Sequence, residues 1–398
     1  MFQSTKQIIF KVTRGCNLRC SYCYLFNKDE YIGEFMPFDL YTKILERVFD
    51  ESRYGNMLEK GEEREQDAIN IVFHGGEPTS IGKKNFMKYA KIAHQIARRY
   101  NKVLNLSIQT NGTQIDDEWI AMFRKYKVTP GISLDGFLEQ SDNERNAGGK
   151  LIETCLRLKG SNMLDSILMV LHKSNYKSIE RNLEILNSIG IKSAKINRGV
   201  DVTTAGESDY ELNAKDLFES YKKVFNFMMT HPDFAEDNVL QWMEKYLSQT
   251  GKGIEGKDYG MHCYTRYCGA GNALIEIEPD GNIQFCGRNS KFSELTSSGN
   301  ALTRDVAEIN HVGRSFLFHR DKLDSIVERG CNLCHAQSIC DGGCISFSQQ
   351  KYGKSIIDPT TCALHKMMHT FLSTQDKEIK EYMKERNVPS ESNNYFYL

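Results

Sequence analysis

The feature that most constrains this chain is the placement of its 12 cysteines within 398 residues. Three fall between positions 16 and 23, eight between 263 and 362, and only Cys155 stands alone. Disulfide scaffolds serve short secreted chains that cannot bury a core, and a chain of this length can bury a full one. Its start, MFQSTKQIIFKVTRGC, lacks a basic segment followed by a long apolar stretch. No run approaches the roughly 18 apolar residues that span a bilayer. The chain therefore reads as cytoplasmic, with its grouped thiols reserved for metal. A formal net charge of -1 and a pI of about 6.8 leave no basic excess for phosphates or anionic lipid. Neither a nucleic acid nor a membrane is expected as partner, and the chain reads as a monomer.

From residue 7 to about 197, β-branched runs alternate with helical patterns, the signature of a parallel sheet with crossover helices. The runs predict strands at Gln7–Val12, Ala68–Phe73, Val103–Gln109, Thr129–Leu134, Ser166–Leu171 and Ser193–Asn197. Apolar positions three and four apart predict helices at Asp39–Glu51, Lys83–Tyr100, Asp116–Tyr126 and Ser178–Ile189. Six such units define an α/β fold, a partial (β/α)6 TIM-like barrel over residues 1–212. Charged Arg53–Asp67 reads as a solvated insertion. Two amphipathic helices, about 213–230 and 236–249, form a linker over 213–262. A cysteine-rich domain follows over 263–370, and 371–398 is a polar helix and tail. Cys155 falls in a helical pattern and reads as a small buried residue.

Directly after the first strand, Cys16-Asn17-Leu18-Arg19-Cys20-Ser21-Tyr22-Cys23 places three thiols in one loop. A [4Fe–4S] cluster held by three thiolates keeps one iron open to another molecule. Open coordination marks chemistry, as it does when catalytic zinc is set against structural zinc. A zinc knuckle remains an alternative from spacing alone, although it needs a fourth ligand and the nearest histidine, His74, ends another strand. His74-Gly75-Gly76-Glu77-Pro78 alone would be a tight turn. Glycines there also let backbone approach a ligand, and carbonyls or Glu77 can accept hydrogen bonds from an ammonium group.

Together these segments resemble the radical S-adenosylmethionine (radical SAM) superfamily. The resemblance implies that the open iron is chelated by the methionyl amine and carboxylate of SAM, whose reductive cleavage yields a 5'-deoxyadenosyl radical. It implies that Gly75, Gly76, Glu77 and Pro78 bind the SAM ammonium group and that Tyr22 lies beside adenine. Ser133, within Gly131-Ile132-Ser133-Leu134-Asp135, would contact SAM, with strand-end capping as its alternative. All three segments sit at carboxyl ends of strands, where barrel-like folds place ligands.

The C-terminal array reads Cys263-x4-Cys268, then Cys286, then Cys331-x2-Cys334-x5-Cys340-x3-Cys344, and Cys362. It resembles the SPASM domain, an auxiliary-cluster domain of many radical SAM enzymes. Eight cysteines suit two fully ligated [4Fe–4S] clusters by four thiolates each, giving three clusters in all, although two zinc sites would use the same thiolates. The resemblance implies one auxiliary cluster on Cys263, Cys268, Cys286 and Cys344, and a second on Cys331, Cys334, Cys340 and Cys362.

The layout, including SIQTNGTQIDDEW and GISLDG, is similar to anaerobic sulfatase-maturating enzymes and to maturases that crosslink ribosomally made peptides. Sulfatase maturases carry an aspartate base after the second SPASM cysteine, whereas Gly287 and Arg288 follow Cys286 here. Asp135 is the candidate replacement. The expected activity is therefore an oxidoreductase that abstracts a side-chain hydrogen from a precursor peptide and closes a C–C or thioether crosslink. The auxiliary clusters would accept the released electron, and a flavodoxin or ferredoxin is the implied donor. Six residues before the first strand leave no room for a leader-binding domain, so the barrel, the SPASM region or a separate protein is expected to read any leader. The stretch between Cys286 and Cys331, with a helix predicted around Thr303–Glu328, is a candidate surface for this. Sulfatase maturation or alcohol oxidation is the second reading, and a non-catalytic electron carrier the third.

Overall fold

The computed structural model describes residues 2–3, 5–25, 35–55, 68–137, 144–145, 147, 150–164, 166–200, 209–249, 268–288, 297–303, 320–340, 342–354 and 356–386. Six strands follow one another in parallel: β1 (Gln7–Thr13), β2 (Ile69–Gly75), β3 (Leu104–Thr110), β4 (Val128–Ser133), β5 (Ser166–Leu171) and β6 (Ser193–Arg198). Between them run α1 (Phe38–Glu51), α2 (Lys83–Arg99), α3 (Asp117–Lys125), α4 (Lys150–Gly160) and α5 (Ile179–Ser188). This is the expected partial barrel. The predicted strands and helices agree with it to within about two residues at each end, the usual margin for element boundaries.

Each strand sorts its residues by alternation. Ile8, Phe10 and Val12 of β1, Ile71 and Phe73 of β2, and Leu106 and Ile108 of β3 join the hydrophobic core under the helices. There an aromatic chain links the layers: Phe10 meets Tyr41 of α1 at 4.8 Å, and Phe73 meets Phe86 of α2 at 4.9 Å. Phe86 in turn meets Trp119 of α3 at 5.2 Å. The alternate positions point the other way and are largely polar: Lys11, Asn70, His74, Asn105, Ser107, Gln109, Ser133, Lys195 and Asn197. A barrel with so polar an inner face is built to hold something other than its own core. Cys155 on α4 is fully buried in the outer layer.

Past β6 come α6 (Ala214–Thr230), the short β7 (Ala235–Glu236) and α7 (Asp237–Gln249), where the sequence places its two helices. Three further strands were not foreseen: β8 (Leu274–Ile277), β9 (Asn282–Gln284) and β10 (Ser297–Asn300). β8 pairs in parallel with β1, in the register Ile9 to Glu276, and β9 and β10 extend antiparallel from it. The cysteine-rich region thus continues the barrel sheet in the order β10-β9-β8-β1-β2-β3-β4-β5-β6-β7. Of the predicted helix around Thr303–Glu328, residues 303 and 320–328 are described; 320–328 are helical and Thr303 is not. Three longer helices follow among the described residues: α8 (Ile345–Tyr352), α9 (Pro359–Ser373) and α10 (Asp376–Arg386). Phe371 of α9 packs on Phe225 of α6 at 5.1 Å, and Arg198 at the end of β6 pairs with Asp358 at 2.9 Å. Among the described residues no helix is long and apolar enough to cross a membrane.

Candidate active site and cysteine clusters

The loop that leaves β1 carries Cys16, Cys20 and Cys23, and the segment after β2 grips its base. Gly76 N–H donates to Thr13 O at 2.9 Å, and Glu77 N–H donates to Gly15 O at 2.7 Å. A Cβ on Gly75 would lie 2.0 Å from Thr13 O, and one on Gly76 would lie 2.1 Å from Gly15 O. Gly75 also has φ +132°, a region that favours glycine. Here the two glycines are required by contact with the cysteine loop itself.

Glu77 is 1% exposed and filled by donors of its own chain. Oε1 accepts from Thr79 N at 3.0 Å, Thr79 Oγ1 at 2.6 Å and Thr110 Oγ1 at 2.6 Å. Oε2 accepts from Asn111 N at 2.7 Å. Burial raises its pKa, and those four donors partly oppose the rise. The carboxylate braces the ends of β2 and β3, which leaves the backbone of this segment as its ligand-facing part. Pro78 opens the buried turn Pro78–Ile81 that follows.

Asn111 extends the brace to the cysteines, with Nδ2 at 3.8 Å from Cys16 Sγ and donating to Asn17 Oδ1 at 2.8 Å. Leu18 N–H donates to the same sulfur at 3.4 Å. Burial pushes Cys16 up to about 11 and Cys20 up to about 12, and each is raised further by the charge of its cysteine neighbours. Thiols carried on one loop become stable thiolates when a cation joins them, and N–H donors at sulfur favour that state.

Tyr22 and Asp135, paired here by the fold, form a second network. The Tyr22 hydroxyl donates to Asp135 Oδ2, and Arg145 reaches the same carboxylate at 3.3 and 3.4 Å. Val170 N–H donates to Oδ1 at 2.9 Å. Asp135 is 1% exposed and holds three elements together, so its candidacy as a base finds no free oxygen. The Tyr22 ring stacks on His172 at 5.7 Å. Ser133 Oγ, on the inner face, accepts from Gln109 Nε2 at 2.6 Å.

The C-terminal cysteines fall into two places. Cys331, Cys334, Cys340 and Cys362 line one cavity of about 550 Å³. Burial and the charges of Cys362 and Cys331 push Cys340 up to about 11. Cys268 and Cys286 pack together on Ala270, Phe285 and Ile345, and Cys344 caps the helix that Ile345 opens. Cys263 lies outside the described residues.

Between the cysteine loop and β8 lies a charged group that sequence reasoning missed. Lys11 is fully buried, with Nζ 2.6 Å from Glu276 Oε1 and 2.9 Å from Glu278 Oε1. Arg14 Nε donates to Glu278 Oε2 at 3.1 Å. The one available signal was the IEIE alternation, which puts glutamates on a single strand face.

A parallel partial barrel with three thiols after its first strand is the architecture of one class, and residues 10–207 match the family described as the Radical SAM superfamily. The chain carries a radical SAM domain and is an enzyme that acts by radical chemistry, which implies S-adenosylmethionine and a [4Fe–4S] cluster. The donor set at Cys16, Cys20 and Cys23 fits that cluster. The cysteine-type anaerobic sulfatase-maturating enzyme of Clostridium novyi is 23% identical over 384 residues, covering 90% of this chain and 93% of its own. The serine-type enzyme of Klebsiella aerogenes is 24% identical over 346 residues, covering 83% and 77%. Among solved structures, native anSMEcpe with bound AdoMet superposes with a TM-score of 0.74 at 20% identity, over 95% of this chain and 99% of that one. Streptococcus suis SuiB bound to S-adenosylmethionine gives 0.60 at 17%, over 90% and 77%. The layout of the chain is close to both.

Proposed function

We propose that this enzyme takes a hydrogen atom from a side-chain carbon of a ribosomally made precursor peptide and closes an intramolecular C–C or thioether crosslink. The observation that carries the reading is the polar inner face of the barrel, with the Cys16–Cys23 loop standing at the end of β1. Related solved structures support a polypeptide as substrate: anSMEcpe binds AdoMet with a Cp18Cys peptide, and SuiB is bound to its precursor peptide SuiA.

When bound, the cluster and SAM supply a 5'-deoxyadenosyl radical. The chain's own residues do the rest. Cys16, Cys20 and Cys23 would hold the cluster through three thiolates. The Thr13–Gly15 backbone, clasped by Gly76 and Glu77, fixes the loop's position. In this reading the backbone of Gly75–Pro78 meets the methionyl ammonium group, Ser133 meets SAM at the end of β4, and Tyr22 flanks the adenine side. The C-terminal region is then a SPASM domain with two auxiliary [4Fe–4S] clusters. Cys263, Cys268, Cys286 and Cys344 hold one of them. Cys331, Cys334, Cys340 and Cys362, which share a cavity, hold the other. A flavodoxin or ferredoxin supplies the reducing electron.

Formylglycine formation is the second reading, favoured by the sulfatase-maturating relative that the chain matches over 93% of that relative's length. Anaerobic reaction with short peptides encoded beside the gene, read by mass spectrometry, separates the two. Loss of two hydrogens without an aldehyde supports crosslinking. An aldehyde captured by a hydrazide probe, on a peptide or a neighbouring sulfatase, replaces crosslinking with the second reading.

A further inference from the structure

Oxidising a side chain by one hydrogen atom and one electron also releases a proton, so a base must stand near the reacting carbon. Asp135 has no free oxygen, and position 287, beside Cys286, is a glycine. The space over that glycine is occupied from another strand. A Cβ on Gly287 would meet Glu276 Oε2 at 3.1 Å and Ile9 Cδ1 at 3.1 Å.

Glu276 projects from β8 onto the inner face of the barrel and is 0% exposed. Oε1 makes an ion contact with Lys11 Nζ at 2.6 Å without an aligned hydrogen bond, and Oε2 has no donor among the described residues. Its neighbour is treated differently. Glu278 accepts from Lys11 Nζ at 2.9 Å and from Arg14 Nε at 3.1 Å, so it is the carboxylate the cations satisfy. Lys11 alone must balance what remains. Burial raises the proton affinity of Glu276 most, Lys11 opposes it, and the Glu278 charge adds to it; the net shift is upward. The other titratable groups about this point are Arg288, the phenol of Tyr24, which feels Glu276, Cys23 and Cys286 together, and His74, which lies opposite Lys11 in the β1–β2 register and feels its charge. The carboxylate therefore shares the surroundings of Tyr24 with Cys23 of the first group of cysteines and Cys286 of the second.

We propose that Glu276 is the catalytic base of this enzyme, taking the place of a carboxylate at position 287, and that Lys11 is its positioning residue. The inference rests on the reading above that the chain oxidises a polypeptide side chain. A substrate C–H bond breaks, and its hydrogen atom passes to the 5'-deoxyadenosyl radical to give 5'-deoxyadenosine. The second substrate group loses its X–H proton to Glu276 Oε2 and forms the new C–X bond. One electron leaves to an iron–sulfur cluster.

The test compares the full-length, cluster-loaded wild type with Glu276→Gln, using the modified peptide as substrate. Crosslinked product should fall about 100-fold or more, the usual size of a lost general base. 5'-Deoxyadenosine release and peptide binding should each stay within about threefold. Product at the wild-type rate, or an equal fall in product and 5'-deoxyadenosine at unchanged iron content, overturns the proposal. Should Glu276→Gln fail to fold, the pair Glu276→Ala with Gly287→Asp decides, because an aspartate at 287 points into the vacated space. Restored product supports the inference, and a folded, iron-loaded double variant without product refutes it. A readout without substrate is infrared difference spectroscopy across the neutral pH range. A carboxylate that takes up a proton within that range in the wild type, with the matching band missing in Glu276→Gln, supports the assignment, and identical spectra for the two proteins defeat it. Should the wild type modify no polypeptide, the functional reading fails, and the infrared result still decides the state of Glu276.

Discussion

Glu77 offers the sharpest test of how the site is built, because a ligand contact and an internal brace predict opposite results for Glu77→Gln. The carboxylate accepts from two backbone N–H groups, Thr79 on one oxygen and Asn111 on the other. An amide has one accepting end. Either flip therefore leaves one of those N–H groups facing an NH2 inside a site that is 1% exposed. A lost hydrogen bond to a charged acceptor costs about 1.5–3 kcal/mol, and stranding a buried donor adds a similar amount, so a loss of about 3 kcal/mol is expected. Asn111 would move first, and with it the contact to Cys16 Sγ and the hydrogen bond to Asn17. Anaerobic urea unfolding, paired with iron and sulfide analysis, reads both consequences: a lower midpoint and about one cluster fewer per chain, or about four irons. A variant with a wild-type midpoint and full iron, but SAM binding weakened tenfold, would refute the brace and make Glu77 a ligand contact.

Gly76→Ala drives a methyl group to 2.1 Å from the Gly15 carbonyl, and backbone cannot yield, so the protein should be insoluble or lack the first cluster. Gly82→Ala is the control: φ is +78° but nothing lies within 4 Å, so it should cost only about 1 kcal/mol in the same unfolding assay. Cys362→Ser should remove about four irons per chain while SAM cleavage persists, and loss of all iron would argue against a separate centre in the cavity that Cys362 lines. Glu236 is fully buried, and burial outweighs its hydrogen bonds from Ile196 and Val239 to hold it at about 7 against an ordinary 4.5. Folding takes up a proton there, so its contribution is fully present below pH 4.5 and is lost as pH rises through about 7. The loss approaches 3 kcal/mol, at about 1.4 per unit. Unfolding midpoints of wild type and Glu236→Gln should therefore diverge between about pH 5 and about pH 8, and parallel curves would count against the shift.

The first six strands were readable because each is a short run with apolar or β-branched residues at alternate positions, closed by turn residues. Helices α1, α2 and α3 were readable from spacing, and Asp116, which caps α3 by accepting from Trp119 N–H, marked its start. The cysteines announced themselves by interval. What stayed hidden was long-range. Nothing in LIEIE indicates that it pairs with QIIF some 267 residues earlier, and the glutamates within it count against a buried strand until Lys11 is seen opposite them. Gly75 and Gly76 read as glycines but not as glycines pressed on Thr13 and Gly15, because a contact partner is not a property of the motif. Asp135 looked available for chemistry on the same grounds, and the fold spends it on Tyr22, Arg145 and Val170.

The pairing of β8 with β1 changes how the two halves of the chain depend on each other. β1 would otherwise be an edge of the parallel sheet, offering unpaired backbone groups and a lysine with no route to water. β8 covers that edge and supplies the only carboxylates that Lys11 meets among the described residues. A buried ammonium without a partner costs several kcal/mol, so the barrel and the cysteine-rich region are expected to fold as one unit rather than as separable modules. The same pairing sets chemistry. Cys16 lies three residues past the end of β1, and Cys286 two residues past β9, so one continuous sheet measures the distance between the two thiol groups. Strand register therefore fixes the separation of the two cysteine groups, and a slip of β8 along β1 would strip Lys11 of its carboxylate partners.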